Sequence, residues 1–166
     1  MKMIVAMCKN GGIGIKNTIP WYFKKDLNYF KKLTIGDGNN AIIMGKNTWN
    51  SINNTPLPKR DNLILSTSLN IPNAFDSKKS LQTFIERMNY NDVWVIGGSS
   101  IYDLFLKNID ELYITYIDKH YECDTFFPSI DTHLPHVTSY YSTKIIENDI
   151  DLYFQKYIIN HKKDCQ

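Results

Sequence analysis

A chain of 166 residues is long enough for one well-buried core and short for two. Its hydrophobic share of 43% and charged share of 22% are those of an ordinary soluble domain. A net charge of +2 argues against a nucleic-acid-coating protein, and no stretch approaches the ~20 apolar residues of a membrane span.

The three cysteines, Cys8, Cys123 and Cys165, are too scattered for a disulfide framework. Their odd number suits a reducing compartment. The apolar Met1–Cys8 start runs straight into Lys9, Asn10 and a glycine pair, which is no signal-peptide pattern. The cytoplasm is the expected location. His120 and Cys123 supply two neighbouring ligands, too few for a tetrahedral metal site, so no metal is expected.

Met3 to Cys8 reads as a buried strand that ends in the Asn10-Gly11-Gly12 loop. The Phe23 to Leu33 segment reads as a helix. At about 100° per residue, Phe23, Tyr29, Phe30 and Leu33 share a side with Asp26, and Leu27 lies at the edge. Lys24, Lys25, Asn28, Lys31 and Lys32 face away, as a solvated face. Asp26 is the only acid between Met1 and Gly36. It is either a first-turn acid favoured by the helix dipole or a functional carboxylate on an apolar face. A buried ionised carboxylate costs several kcal/mol unless paired or protonated. Spacing alone leaves both readings open.

Ala41 to Met44, Leu63 to Leu65 and Val93 to Ile96 are further short apolar strands. Thr48 to Ile52, Leu81 to Met88 and Ser100 to Leu106 read as helices between or after them, with Ser80 and Ser99 as N-caps. Wholly apolar strands alternating with helices predict a parallel sheet covered on both faces. Leu112 to Ile117, Val137 to Ile145 and Leu152 to Ile159 are strand-like, the last two forming an antiparallel edge. One domain over residues 1–160 and a frayed polar tail over 161–166 are expected.

Two strand ends carry phosphate-binding logic. Gly97-Gly98-Ser99-Ser100 joins a strand to a helix start, where free N–H groups and the dipole attract anions. It lacks the third spaced glycine of the dinucleotide fingerprint, so a plain tight turn is its rival. Gly45-Lys46-Asn47-Thr48 places a cation and a hydroxyl at another helix start, with Thr48 as a simple N-cap the alternative. Together they suggest a dinucleotide across the strand C-terminal ends, and Leu65-Ser66-Thr67-Ser68 adds hydroxyls at a third end. Pro56-Leu57-Pro58-Lys59-Arg60 is a rigid turn ending in a carboxylate-matching fork, or in a surface arginine. No nucleophile elbow or His-rich metal set is present, which leaves the hard chemistry to a cofactor.

These residues resemble the dihydrofolate reductase family. The matching stretches run in family order over nearly the whole chain: Ile13-Gly14 with Asn17, Ile19-Pro20-Trp21, Asp26-Leu27 with Phe30-Lys31, Met44 to Trp49 with Ser51-Ile52, Pro56-Leu57-Pro58 with Arg60, Leu65-Ser66, Val95 to Tyr102, Tyr113 to Asp118, and Asp124 to Pro128. The resemblance implies a central eight-stranded, mainly parallel twisted sheet with flanking helices. It implies NADPH-dependent reduction of 7,8-dihydrofolate to tetrahydrofolate, with hydride going to C6 and a proton to N5.

By that resemblance Asp26, hydrogen-bonded by Thr115, binds the pteridine, and Trp21 holds an ordered water. Ile4, Val5 and Ile96 line the pteridine edge, Ile4 and Ile96 through their carbonyls. Leu27, Phe30, Ile52 and Leu57 wall the ring and benzoyl group, and Arg60 takes the glutamate α-carboxylate. The cofactor residues are Ala6, Ile13, Gly14, Ile19, Gly45, Lys46, Asn47, Thr48, Leu65, Ser66, Thr67, Lys79, Ile96, Gly97, Gly98, Ser99, Ser100, Ile101 and Tyr102. Ile13 to Ile19 forms a lid. Lys59 and Thr67 depart from the family pattern, and Thr67 leaves the 2′-phosphate to Ser66, Thr67 and Lys79.

A monomer that binds dihydrofolate and antifolates, and neither nucleic acid nor membrane, is expected. A related pyrimidine reductase of riboflavin synthesis, or a folate- or nucleotide-binding protein without turnover, are the rival readings.

Overall fold

The computed structural model describes residues 1–129 and 137–161. Eight strands form one sheet: β1 (Lys2–Cys8), β3 (Ala41–Gly45), β4 (Asp61–Leu65), β5 (Ala74–Phe75), β6 (Val93–Gly97), β7 (Glu111–Ile117), β9 (Val137–Glu147) and β10 (Ile150–Ile159). Their order across the sheet is β5-β4-β3-β6-β1-β7-β10-β9. Every pair from β5 to β7 is parallel, while β10 pairs antiparallel with both β7 and β9. A small second sheet joins β2 (Gly12–Gly14) to β8 (Thr125–Phe126). The tail residues 162–166 lie outside the described residues.

Side chains alternate across a strand, and the core divides accordingly. Met3 and Val5 of β1, with Ile43, Leu63 and Val95, pack under α3 (Lys78–Met88) and α4 (Ser99–Phe105), which contribute Leu81 and Phe105. Ile4 of β1 points the other way, with Ile42, Ile64, Trp94 and Tyr113, against Tyr29, Phe30 and Leu33 of α1 (Lys24–Ile35). Strand β3 is buried along its length because both faces are covered. No helix among the described residues is long and apolar enough to cross a membrane.

The helix starts differ from two expectations. The Ser77 side chain caps α3 by accepting from Ser80 N at 3.2 Å, so the cap lies three residues before Ser80. The α4 N-cap is Gly98, and Ser99 is the first helical residue, its hydroxyl donating to Phe126 O at 2.7 Å. Helix α2 (Lys46–Ser51) starts at Gly45, which removes Thr48 as a simple cap. Strands β2, β5 and β8 are two or three residues long and carry no periodic signal.

Strands β1 and β6 stay paired only at Lys2–Trp94 and Met3–Val95. On the other side of β6 the ladder with β3 passes from Ile43–Val95 to Met44–Gly97 and skips Ile96. The sheet therefore opens at its C-terminal edge, at the place where ligands bind in open α/β sheets.

Candidate active site

Asp26 lies in the first turn of α1 and its carboxyl also faces Thr115 of the sheet, so a first-turn place and a place on the apolar face do not exclude each other. Its carboxyl is half-buried and accepts a hydrogen bond from the Thr115 hydroxyl of β7. Burial holds this carboxyl above the usual carboxylate range, Glu147 pushes it the same way, and the Thr115 bond opposes them.

The start of α1 is held from far along the chain. Its N-cap Phe23 offers no side-chain acceptor. The two carboxylate oxygens of Glu147, at the end of β9, accept from Lys24 N at 2.8 Å and Lys25 N at 2.9 Å. Lys25 Nζ in turn donates to Ile146 O at 2.8 Å. No local pattern signals this cap, because its partners stand more than 120 residues apart.

Arg60 reaches the other end of the helix. Its guanidinium donates to the Thr34 hydroxyl and, through Nε, to Pro58 O at 3.1 Å. It lies over the Phe30 ring at 5.7 Å from the centroid. Thr34 follows Asp26 by eight residues, a rise of about 12 Å along the helix. Acid, aromatic ring and guanidinium thus line up along one face. Ile52 and Leu57 are half-buried and pack against the core cluster that holds Phe30. Leu27 is 45% exposed, at the rim. Trp21 packs its ring on Tyr121, 5.2 Å between centroids.

A cleft of about 840 Å³ runs over the C-terminal ends of the parallel strands. Of the expected cofactor residues, Lys79 and Gly97 are absent from its lining. Lys79 is an exposed residue of α3, and Lys78, the residue before it, lines the cleft instead. Gly97 has φ +116°, and a Cβ there would meet Tyr102 Oη at 3.0 Å, so it shapes the turn beneath. The Gly97–Gly98 peptide is cis. Asn17 and Thr18 of the expected lid line the cleft, and Ser51, Asp76, Ser77, Leu104 and Thr125 join them from outside the expected cofactor residues. Lys46 Nζ donates to Ser68 Oγ at 2.9 Å.

The Tyr102 hydroxyl sits between two strands, 2.9 Å from Ile4 O and 2.8 Å from Ile96 O. These are the two carbonyls expected at the pteridine edge. Ala6 lines the cleft and is the register partner of Thr115, which holds Asp26. Cleft and carboxylate therefore meet on adjacent strands.

The model of the family described as dihydrofolate reductase matches residues 1–158. The chain belongs to the dihydrofolate reductase family. A dihydrofolate reductase of Buchnera aphidicola subsp. Baizongia pistaciae is 40% identical over 168 residues, covering 98% of this chain and 89% of that one. The dihydrofolate reductase of Heliothis virescens is 36% identical, covering 95% and 96%. The solved structure of dihydrofolate reductase from Enterococcus faecalis, complexed with NADP(H) and RAB-propyl, superposes with a TM-score of 0.80 at 26% identity, covering 96% and 95%. The eight-stranded sheet with its antiparallel edge is the architecture that family membership implied.

Proposed function

We propose that the chain reduces 7,8-dihydrofolate to 5,6,7,8-tetrahydrofolate with NADPH as the reductant, as its family membership indicates. The observation that carries the assignment to these residues is the line from Asp26 through Phe30 to Arg60 along α1. It offers a carboxylate, an aromatic wall and a guanidinium to a ligand with a nitrogen-rich ring at one end and a carboxylate about 12 Å away.

The cleft suits a dinucleotide. Its volume of about 840 Å³ lies within the range of ligand sites. The Gly45–Lys46 and Gly98–Ser99 helix starts would hold phosphates through backbone N–H groups, with Lys46 and Thr48 adding a charge and a hydroxyl. Ala6, Ile13, Gly14, Ile19, Ile96, Ile101 and Tyr102 would line the nicotinamide side, and Leu65, Ser66, Thr67 and Lys78 the adenosine side. When bound, NADPH supplies the hydride for C6 of the pteridine.

Asp26 would accept hydrogen bonds from the N3 and 2-amino edge of the ring, with Thr115 fixing its orientation. It lies toward the opposite end of the ring from N5, so water brings the N5 proton while Asp26 sets the ring's basicity. Val5, Leu27, Ile52 and Leu57 would exclude water from the ring and benzoyl group. Trp21 would hold an ordered water near Asp26.

Free thiols at Cys8 and Cys123 suit a reducing compartment, and we place the protein in the cytoplasm as a monomer without a nucleic-acid partner. Residues 1–160 would form the folded domain. Loss of NADPH absorbance on adding dihydrofolate tests the whole reading. Binding of both ligands without turnover would favour a binding protein, and turnover of a ribosylamino-pyrimidine instead would favour the related pyrimidine reductase.

A further inference from the structure

We propose that Glu147 is a positioning residue for the reaction: its carboxylate grips the first turn of α1 and sets the Asp26 carboxyl against Thr115. The inference deepens the reductase reading and rests on it.

The geometry begins in the β9–β10 hairpin. Asn148 and Asp149 both adopt the left-handed region, at φ 53° and 59°. Two such residues form the tight connection whose twist matches an antiparallel pair. The turn makes Glu147 and Ile150 register partners and leaves Glu147 as the last residue of its strand. From there the half-buried Glu147 side chain reaches the two amides that α1 cannot satisfy itself, Lys24 N and Lys25 N. The Lys25 Nζ bond to Ile146 O adds a return contact between the same two elements. Asp26 is the next residue after these gripped amides, so any displacement of the first turn displaces the carboxyl.

The tie is also electrostatic. The groups that act on Asp26 are Thr115 of β7 and Glu147 of β9. Tyr29 of α1 and Tyr102 of α4 feel the Asp26 charge, and Lys156 of β10 faces Tyr29. Glu147 brings a like charge, which favours the protonated form of Asp26. A single side chain thereby places the acid and biases its protonation.

The test uses Glu147→Gln and Glu147→Ala in the full chain. Glutamine keeps the length and one oxygen acceptor but removes the charge. The readouts are the carboxyl carbon resonance of Asp26 against pH, kcat and KM for dihydrofolate, and the NADPH dissociation constant.

Glu147→Gln should lower the Asp26 midpoint, because it removes the like charge that favours the protonated form. Glu147→Ala should lower it as well and raise the dihydrofolate KM several-fold, with NADPH affinity unchanged. An unchanged Asp26 midpoint in Glu147→Gln overturns the proposal. So does a fall in Tm alone, which would leave Glu147 a helix cap and nothing more. The carbon titration needs no turnover, so an inactive wild type would sink the reductase reading while this test still decides the role of Glu147.

Discussion

The Thr115 hydroxyl is hydrogen-bonded to the Asp26 carboxyl, which ties the interior strand β7 to the first turn of α1. The register partner of Thr115 on β1 is Ala6, a wall of the cleft. The acid is therefore anchored to the same sheet rungs that floor the cleft.

This environment fixes a pH dependence. Burial makes Asp26 harder to ionise in the folded chain than in the unfolded one, so its folded value lies above its unfolded value. Stability from this group is complete below the unfolded value and is lost as pH rises through the folded value. The Tm of the wild type relative to Asp26→Asn should fall across that window and level off above it. Turnover of Asp26→Asn at neutral pH should drop by roughly 10²–10⁴-fold. A Tm difference that ignores pH, with near-wild-type turnover, would remove Asp26 from the mechanism.

Arg60 and the cofactor cleft should respond separately. Hydrogen bonds to charged groups are worth about 1.5–3 kcal/mol, so Arg60→Leu should raise the dihydrofolate KM by roughly ten- to a hundredfold. NADPH affinity should stay in place, and small inhibitors without a carboxylate should bind as before. Equal weakening of both inhibitor kinds would assign Arg60 to structure, through its bonds to Thr34 and Pro58.

The two glycines of the cis peptide should fail in different ways. Gly97 has φ +116° and no room toward Tyr102, so Gly97→Ala should cost on the order of 1–3 kcal/mol of stability. At Gly98 a Cβ meets only Thr48 Oγ1, at 3.6 Å, an ordinary contact. Gly98→Ala should keep its Tm and lose NADPH affinity, because Gly98 lines the cleft. Thermal melts and quenching of tryptophan fluorescence by NADPH separate the two. A Gly98→Ala variant with full affinity would reduce that residue to a turn.

Gly12 is confined by a thiol. A Cβ at Gly12 would collide with Cys123 Sγ, lie 2.6 Å from Cys123 Cβ and lie 3.1 Å from Cys8 Sγ. Gly12→Ala should therefore lower Tm, and adding Cys123→Gly, which removes both Sγ and Cβ, should restore part of the loss. Strictly additive Tm changes in the double variant would show that the two positions do not interact.

What was legible in the sequence follows physical reach. Strands β1, β3 and β6 are apolar on both faces, and α1 carries an apolar stripe, so composition and period were enough. The lone acid on that stripe singled out Asp26, though spacing left a first-turn acid and a functional carboxylate equally open. The cap of α3 was harder, since Ser77 and Ser80 are both good caps and only backbone geometry selects Ser77. The same helix placement brings Lys78 rather than Lys79 to the cleft. Strands β2, β5 and β8 are too short for a period. Glu147 gave no signal, because its partners are joined to it only by the folded chain.

The seam between β1 and β6 has a thermodynamic consequence. Burial keeps the Tyr102 phenol protonated far into the alkaline range. That hydroxyl has a single proton, yet it faces both Ile4 O and Ile96 O. One carbonyl is always short of a full donor, beside a rung that the two strands do not make. A ligand donating an N–H there would supply the missing rung. Occupancy and folding are then linked quantities: at a thousand times its Kd such a ligand adds about 4.1 kcal/mol to the folded state. Without such a donor the rung between β1 and β6 stays unmade beyond Met3–Val95.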